Sequence, residues 1–222
     1  MIYASSSATY GDGEQGFADN DDEISKLRPL NKYGYSKQLF DLFLLNNGMF
    51  SLDKSDKASF VGLKYSNIFG PNEYHKAHMR SMVLRSFEQI SSSSKVKLFK
   101  SYRSDYKDGE QVRDFLYVKD AADMTVFFMN EGVNCQGLYN IGYGDKRSWI
   151  DLAEAMFAAL EKEVKIEFIE MPEELKGRYQ YYTCLDMEKL YDAGYKKKPM
   201  TLEEAVKDYV RYLQKNAHLG DL

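Results

Sequence analysis

The 222-residue chain is 44% hydrophobic and 14% aromatic, with only four prolines and a net charge of −4. It has enough apolar content to bury a sizeable core as one large domain or one and a half smaller ones, which excludes a disordered chain. The acidic balance argues against a nucleic-acid partner, and no apolar run nears a membrane span or forms a signal peptide, so the expected location is the cytoplasm.

In chain order, MIYAS is a short apolar strand that stops at serines. RPLNKYGYSKQLFDLFLLNNG predicts a helix, with Asn31 as N-cap and Asn46-Asn47-Gly48 as its stop. Lys37, Phe40, Phe43 and Leu44 fall at helical spacing, which predicts a largely buried face there. SFVGLKYSNIFG, residues 59–70, reads as one strand ended by Gly70-Pro71. HMRSMVLRSFEQI is a helix, SSSS at 91–94 a linker, KVKLF a strand and RSDYKDGEQV at 103–112 a polar loop. RDFLYV is a strand leading into the helix KDAADMTVFFMNEG, and GLYNIG is another strand. Ser148, with Asp151 three residues on, caps the helix SWIDLAEAMFAALEK; VKIEFIEM is a strand; Thr201 and Glu204 form a capping box for TLEEAVKDYVRYLQK. Alternating strands and helices predict an α/β fold with a largely parallel sheet, and the later, less regular segments a smaller C-terminal lobe. Cys135 and Cys184 lie far apart, match no metal or redox spacing and read as reduced core thiols.

One pair of residues carries chemistry. Tyr33 and Lys37 are four apart on a predicted helix, so they share a face one turn apart. An ammonium beside a phenol favours the phenolate, and such a phenol can exchange a proton with an alcohol. Ser6 ends the first strand, and in an open α/β sheet the carboxyl ends of the strands face the ligand crevice. A hydroxyl there can hold a substrate oxygen. In isolation, a Tyr–Lys pair in a chain with 18 tyrosines is a weak signal and reads as a plain surface feature.

The combination YASSSATYG, then PLNKYGYSKQLFD, resembles the extended short-chain dehydrogenase/reductase family. Within it, the likeness is to nucleotide-sugar epimerases and dehydratases. GPNEYHKAHM and PEELKGRYQYYT narrow it to the branch that inverts carbon 6 of an ADP-linked heptose, a precursor of the lipopolysaccharide core. The resemblance implies a catalytic set of Ser6, Tyr33, Lys37 and Lys76, with Lys76 the acid/base on the second face of the sugar. It implies NADP, or NAD, held by Tyr33, Lys37, Ile68 and Lys76. Substrate contacts are implied for Ser6, Asn67, His78, Arg85, Phe99, Lys100, Ser101, Tyr102, Arg113 and Tyr179. A guanidinium such as Arg113 suits a diphosphate. The family commonly assembles, so a homo-oligomer is expected of the full-length form. His75 and His78 are too few for a metal site, and none is expected.

There are departures from the branch's pattern. His78 stands where a serine is usual, and Arg85 where a histidine is. Phe99-Lys100-Ser101-Tyr102 replaces the substrate loop, and the stretch to Arg113 is longer. The other readings are a nucleotide-sugar 4-epimerase or dehydratase, or a non-catalytic sugar-nucleotide binding fragment. A dehydratase wants Asp-Glu after the serine, where this chain has Ser7-Ala8.

Gly11–Gly16 spells Gly-x-Gly-x-x-Gly, but no such run stands directly between a predicted strand and a predicted helix in these 222 residues. By resemblance the chain starts at the fourth strand of a Rossmann-like, doubly wound parallel sheet, without the first three. Residues 1–70 are then the C-terminal part of the dinucleotide domain. Residues 71–222 are the substrate lobe, with returns to the sheet at about 113–145 by the same resemblance. The expectation is that this polypeptide alone neither binds NADP+ tightly nor turns over.

Overall fold

A computed structural model describes residues 1–50, 60–131, 135–177 and 179–221. Three parallel strands form the main sheet. Strand β1 (Ile2–Ser6) pairs with β2 (Val61–Tyr65), and β2 with β7 (Gly137–Ile141), in the order β1-β2-β7. Central β2 is buried from Val61 to Lys64 without alternation, as expected of a parallel strand covered on both faces. The outer edge of β7 is closed by a loop. Asp21 Oδ1 accepts the Leu138 N–H (2.9 Å) and Asp19 Oδ2 the Asn140 N–H (2.6 Å).

The single strand expected over 59–70 is two, and Ser59 lies outside the described residues. At Ser66 the chain changes partners. Its N–H donates to Ile141 O (2.9 Å), and the next N–H, of Asn67, donates to Asp114 O (3.1 Å). Strand β3 (Asn67–Phe69) then pairs in parallel with β6 (Phe115–Tyr117). The expected strand 113–118 is likewise split: β5 (Val112–Arg113) pairs antiparallel with β8 (Arg147–Ser148). Asp114, between β5 and β6, turns its carboxylate onto the N–H groups of Tyr143, Gly144 and Leu185 (2.7, 3.1 and 3.0 Å). A last parallel pair joins β4 (Val96–Phe99) to β9 (Ile166–Ile169).

Helix α1 (Lys32–Asn46) begins as expected, with Asn31 Oδ1 accepting the Gly34 N–H at 2.8 Å. Its buried face differs from the expected one. Phe40 and Phe43 are exposed, and Gly34, Gln38, Asp41 and Leu44 are buried. Polar groups took the inner face because each has a buried partner, as Asp41 shows below.

Helix α2 (Met82–Ser93) starts later than His78. Ser81 caps it, and Tyr74–Met79 is a separate 3-10 turn. The 91–94 serines are not a linker. Ser92 and Ser93 return their hydroxyls to the Glu88 and Gln89 carbonyls (both 2.8 Å), and left-handed Ser94 (φ 58°) ends the helix.

Helix α3 (Val118–Glu131) follows β6 directly; Gly132 of its expected end lies outside the described residues. The capping boxes of α4 (Trp149–Ala159) and α7 (Leu202–Lys215) form as read from sequence. Two short helices, α5 (Glu173–Lys176) and α6 (Glu188–Asp192), were not anticipated.

Two apolar cores result. Leu152, Met156 and Phe157 of α4 pack with Val206, Tyr209 and Val210 of α7 and with α2. Leu63, Tyr139 and Ile141 of the main sheet pack with Met124 and Phe128 of α3. Each such side chain contributes about 1.5–3 kcal/mol by burial. Cys135 is buried and Cys184 half-buried, both as thiols.

Candidate active site

Helix α1 lies antiparallel along β1, and one stripe of it reads the strand backwards. Asp41 Oδ1 accepts the Tyr3 phenol (2.8 Å), and Oδ2 accepts the Ser5 hydroxyl (2.7 Å). One turn earlier, Lys37 Nζ donates to Ala4 O (2.9 Å). A further turn back, a Cβ on Gly34 would meet Ala8 O at 2.6 Å, so glycine is what allows this approach. The first turn of α1, carrying Tyr33, therefore lies against Ala8, just past the Ser6 end of β1. Lys37 Nζ is 5.8 Å from the centre of the Tyr33 ring, and Tyr33 is 57% exposed. Buried Ser6 caps the 3-10 turn Ser7–Tyr10, its Oγ accepting the Ala8 N–H at 3.2 Å.

Asp41 is wholly buried, and Lys64 of β2 is buried beside it. Lys64 Nζ donates to Asp41 Oδ2 (3.1 Å) and to Thr9 Oγ1 (2.6 Å), and lies 4.9 Å from the Tyr10 ring centre. Burial pulls the Lys64 ammonium down from its ordinary range, and Asp41 opposes this. The pair fastens α1 to two strands and to the turn after Ser6. Sequence reading missed it because a charged residue in GLKY and one in QLFDLF look like solvated positions.

A cleft of about 590 Å³ opens beyond β3. Of the residues named from sequence, Asn67, Ile68, Lys76, Arg85, Phe99 and Tyr179 line it. Glu73, Arg80, Lys97 and Trp149 line it too and were not named. Arg113 is buried against two rings of the cleft wall, 5.4 Å from the centre of Trp149 and 5.1 Å from that of Tyr179. Trp149 Nε1 donates to Tyr179 Oη (2.9 Å), which fixes the two walls. Burial draws the Arg113 guanidinium below its ordinary range, so an anion delivered there gains from a poorly hydrated cation. Burial raises the Tyr179 phenol, with Arg113 opposing.

The other named residues stand elsewhere. Ser6, Tyr33 and Lys37 form the α1–β1 cluster. His78 lines a shallow 340 Å³ depression with Arg80, Arg85 and Ser92. Lys100, Ser101 and Tyr102 form a turn bound to its neighbours. Lys100 Nζ donates to Glu170 Oε1 (2.6 Å), the Tyr102 phenol donates to Glu170 Oε2, and the Ser101 N–H donates to Asp108 Oδ1 (2.7 Å).

Residues 1–142 match the NAD dependent epimerase/dehydratase family. The chain is 48% identical to an ADP-L-glycero-D-manno-heptose-6-epimerase of Fusobacterium nucleatum, over 96% of this chain and 65% of that one. It is 47% identical to the enzyme of that name from Nitratidesulfovibrio vulgaris, over 95% of this chain and 63% of that one. The crystal structure of the Helicobacter pylori ADP-L-glycero-D-manno-heptose-6-epimerase superposes with a TM-score of 0.74 at 31% identity, covering 96% of this chain and 59% of that one. The chain thus spans just under two thirds of the length of these curated relatives. It belongs to the NAD dependent epimerase/dehydratase family.

Proposed function

We propose that this chain carries the substrate cleft and the proton-handling groups of an ADP-heptose 6-epimerase dependent on NADP, and that the working form is a homo-oligomer in the cytoplasm. The single observation that carries the reading is Arg113. It is a buried guanidinium against the rings of Trp149 and Tyr179 in the cleft wall, and it donates to the neighbouring Val112 carbonyl (2.7 Å). A cation so placed behind the wall of a cleft suits the diphosphate of a nucleotide sugar.

The residues present suit the nicotinamide-ribose end of a dinucleotide. Lys37 offers an ammonium with donors beyond its one bond to Ala4 O, Tyr33 offers an exposed phenol, and Ile68 offers a half-buried apolar wall. When bound, the nicotinamide supplies a reversible hydride acceptor for carbon 6. Tyr33 exchanges the proton of the hydroxyl on that carbon on one face, with Lys37 stabilising the phenolate charge. Ser6 holds the same oxygen. Inversion needs a proton group on each face, and Lys76, on the cleft wall, serves the second. Asn67, Phe99 and Tyr179 shape the sugar's place.

The test is calorimetry with ADP on the purified chain. Wild type binds ADP, and Arg113→Gln loses at least about tenfold in affinity, since hydrogen bonds to a charged partner contribute about 1.5–3 kcal/mol each. Equal ADP affinity in the two proteins overturns the reading.

A further inference from the structure

The turn that carries Lys76 is closed by one buried carboxylate. Glu73 is 4% exposed. Its Oε2 accepts the backbone N–H of Ser81 (2.6 Å), and its Oε1 accepts the Ser81 hydroxyl (2.6 Å) and the Tyr209 phenol from α7 (3.0 Å). Glu73 and Ser81 flank the 3-10 segment Tyr74–Met79, so these bonds shut a loop around it. Within the loop, the Lys76 N–H donates to Glu73 O (3.0 Å).

The loop is under strain. Ala77 sits at φ 47°, ψ −120°, a conformation natural to glycine. For another residue it is strained and persists only where the surroundings over-determine it. Arg80 holds the far side, donating to Ala77 O from its Nε (2.7 Å) and its N–H (3.4 Å). A carboxylate is the group this place requires. Three donors converge on it, and a carboxamide would offer one acceptor oxygen and turn an NH2 toward donors. Glu73, Lys76 and Ser81 all line the large cleft.

We propose that Glu73 is a positioning residue: its carboxylate, held by Ser81 and Tyr209, closes the Tyr74–Met79 turn, imposes the strained Ala77 and so fixes Lys76 at the cleft wall. The proposal rests on Lys76 being a proton-handling group, and its test is read without turnover. A role confined to tying α7 to α2 would not connect Glu73 to the backbone of Ala77.

The experiment compares Glu73→Gln, Tyr209→Phe and the double variant Glu73→Gln/Ala77→Gly with wild type. It reads amide hydrogen exchange at Lys76 and Arg80. Glu73→Gln raises exchange at both amides about tenfold or more, leaving the core amide of Leu152 unchanged. Tyr209→Phe shows a smaller rise of the same pattern. Adding Ala77→Gly to Glu73→Gln moves exchange at both amides back toward wild type, because the closed turn is no longer strained. Exchange within about twofold of wild type in both single variants overturns the proposal, as does a double variant no closer to wild type than Glu73→Gln. If Glu73→Gln loosens the whole molecule, with Leu152 exchanging as fast as Lys76, Tyr209→Phe decides on the same criteria. An enzyme indifferent to Lys76→Met would remove the acid/base role and leave these exchange results standing.

Discussion

Replacing Lys64 by Met strands the carboxylate of Asp41. Both groups are essentially inaccessible to water, and their contact is 3.1 Å. Removing one partner of a buried pair typically costs about 3–5 kcal/mol, because the remaining charge is neither hydrated nor paired. Here Tyr3 and Ser5 still donate to Asp41, which puts the expected cost at the low end, about 3 kcal/mol. For a chain of this size that lowers the melting temperature by about 6–12 °C. Urea denaturation at pH 7, with thermal melts, measures the loss. Adding Asp41→Asn to Lys64→Met recovers most of the loss, since an amide can still accept from Tyr3 and needs no counter-ion. A Lys64→Met protein within about 1 kcal/mol of wild type at pH 7 refutes the argument that this pair fastens α1 to the sheet.

Gly34→Ala, which in an ordinary helix interior would gain about 1 kcal/mol, is expected to destabilise by about 1–3 kcal/mol, because the new methyl meets the Ala8 carbonyl; equilibrium unfolding gives the sign. Ser148→Ala removes the cap of α4 and costs about 1 kcal/mol by the same measurement. Hydrogen bonds from Lys100 and then Tyr102 hold the Glu170 carboxyl below the usual glutamate range. The latch across Lys100–Tyr102 is therefore intact above the unfolded value of about 4.3 and released as pH falls through the lowered folded one. Ring resonances of Tyr102, followed by NMR against pH, report it; a Tyr102 signal that moves only above neutral pH contradicts it.

Local rules made some elements legible and left others hidden. Asn31, Ser148 and Thr201 were readable as caps because an N-cap depends on neighbours three residues away. Tyr33 and Lys37 were readable for the same reason: one turn of helix sets their spacing. The face of α1 was misread because its inner positions are polar and their partners, Tyr3, Ser5 and Lys64, are remote in sequence. The breaks at Ser66 and Asp114 were invisible because they mark changes of sheet partner, which hydropathy does not encode. Arg113 was nameable from RDFLYV, whereas its packing against Trp149 and Tyr179 depends on β5 pairing with β8. Glu73 passed as a loop acid because nothing in GPNEYHK announces that Ser81 and Tyr209 will meet it.

Proton transfer at Tyr33 and Lys76 is measured most directly by the interconversion of the two carbon-6 epimers of ADP-glycero-manno-heptose, with NADP+ supplied and followed by NMR, in wild-type, Tyr33→Phe and Lys76→Met forms of a chain extended to the full length of its relatives. The rate constant falls by about 10²–10⁴ in each variant, while ADP binding through Arg113 stays intact. Rates equal to wild type in both variants, with ADP still bound, would contradict it.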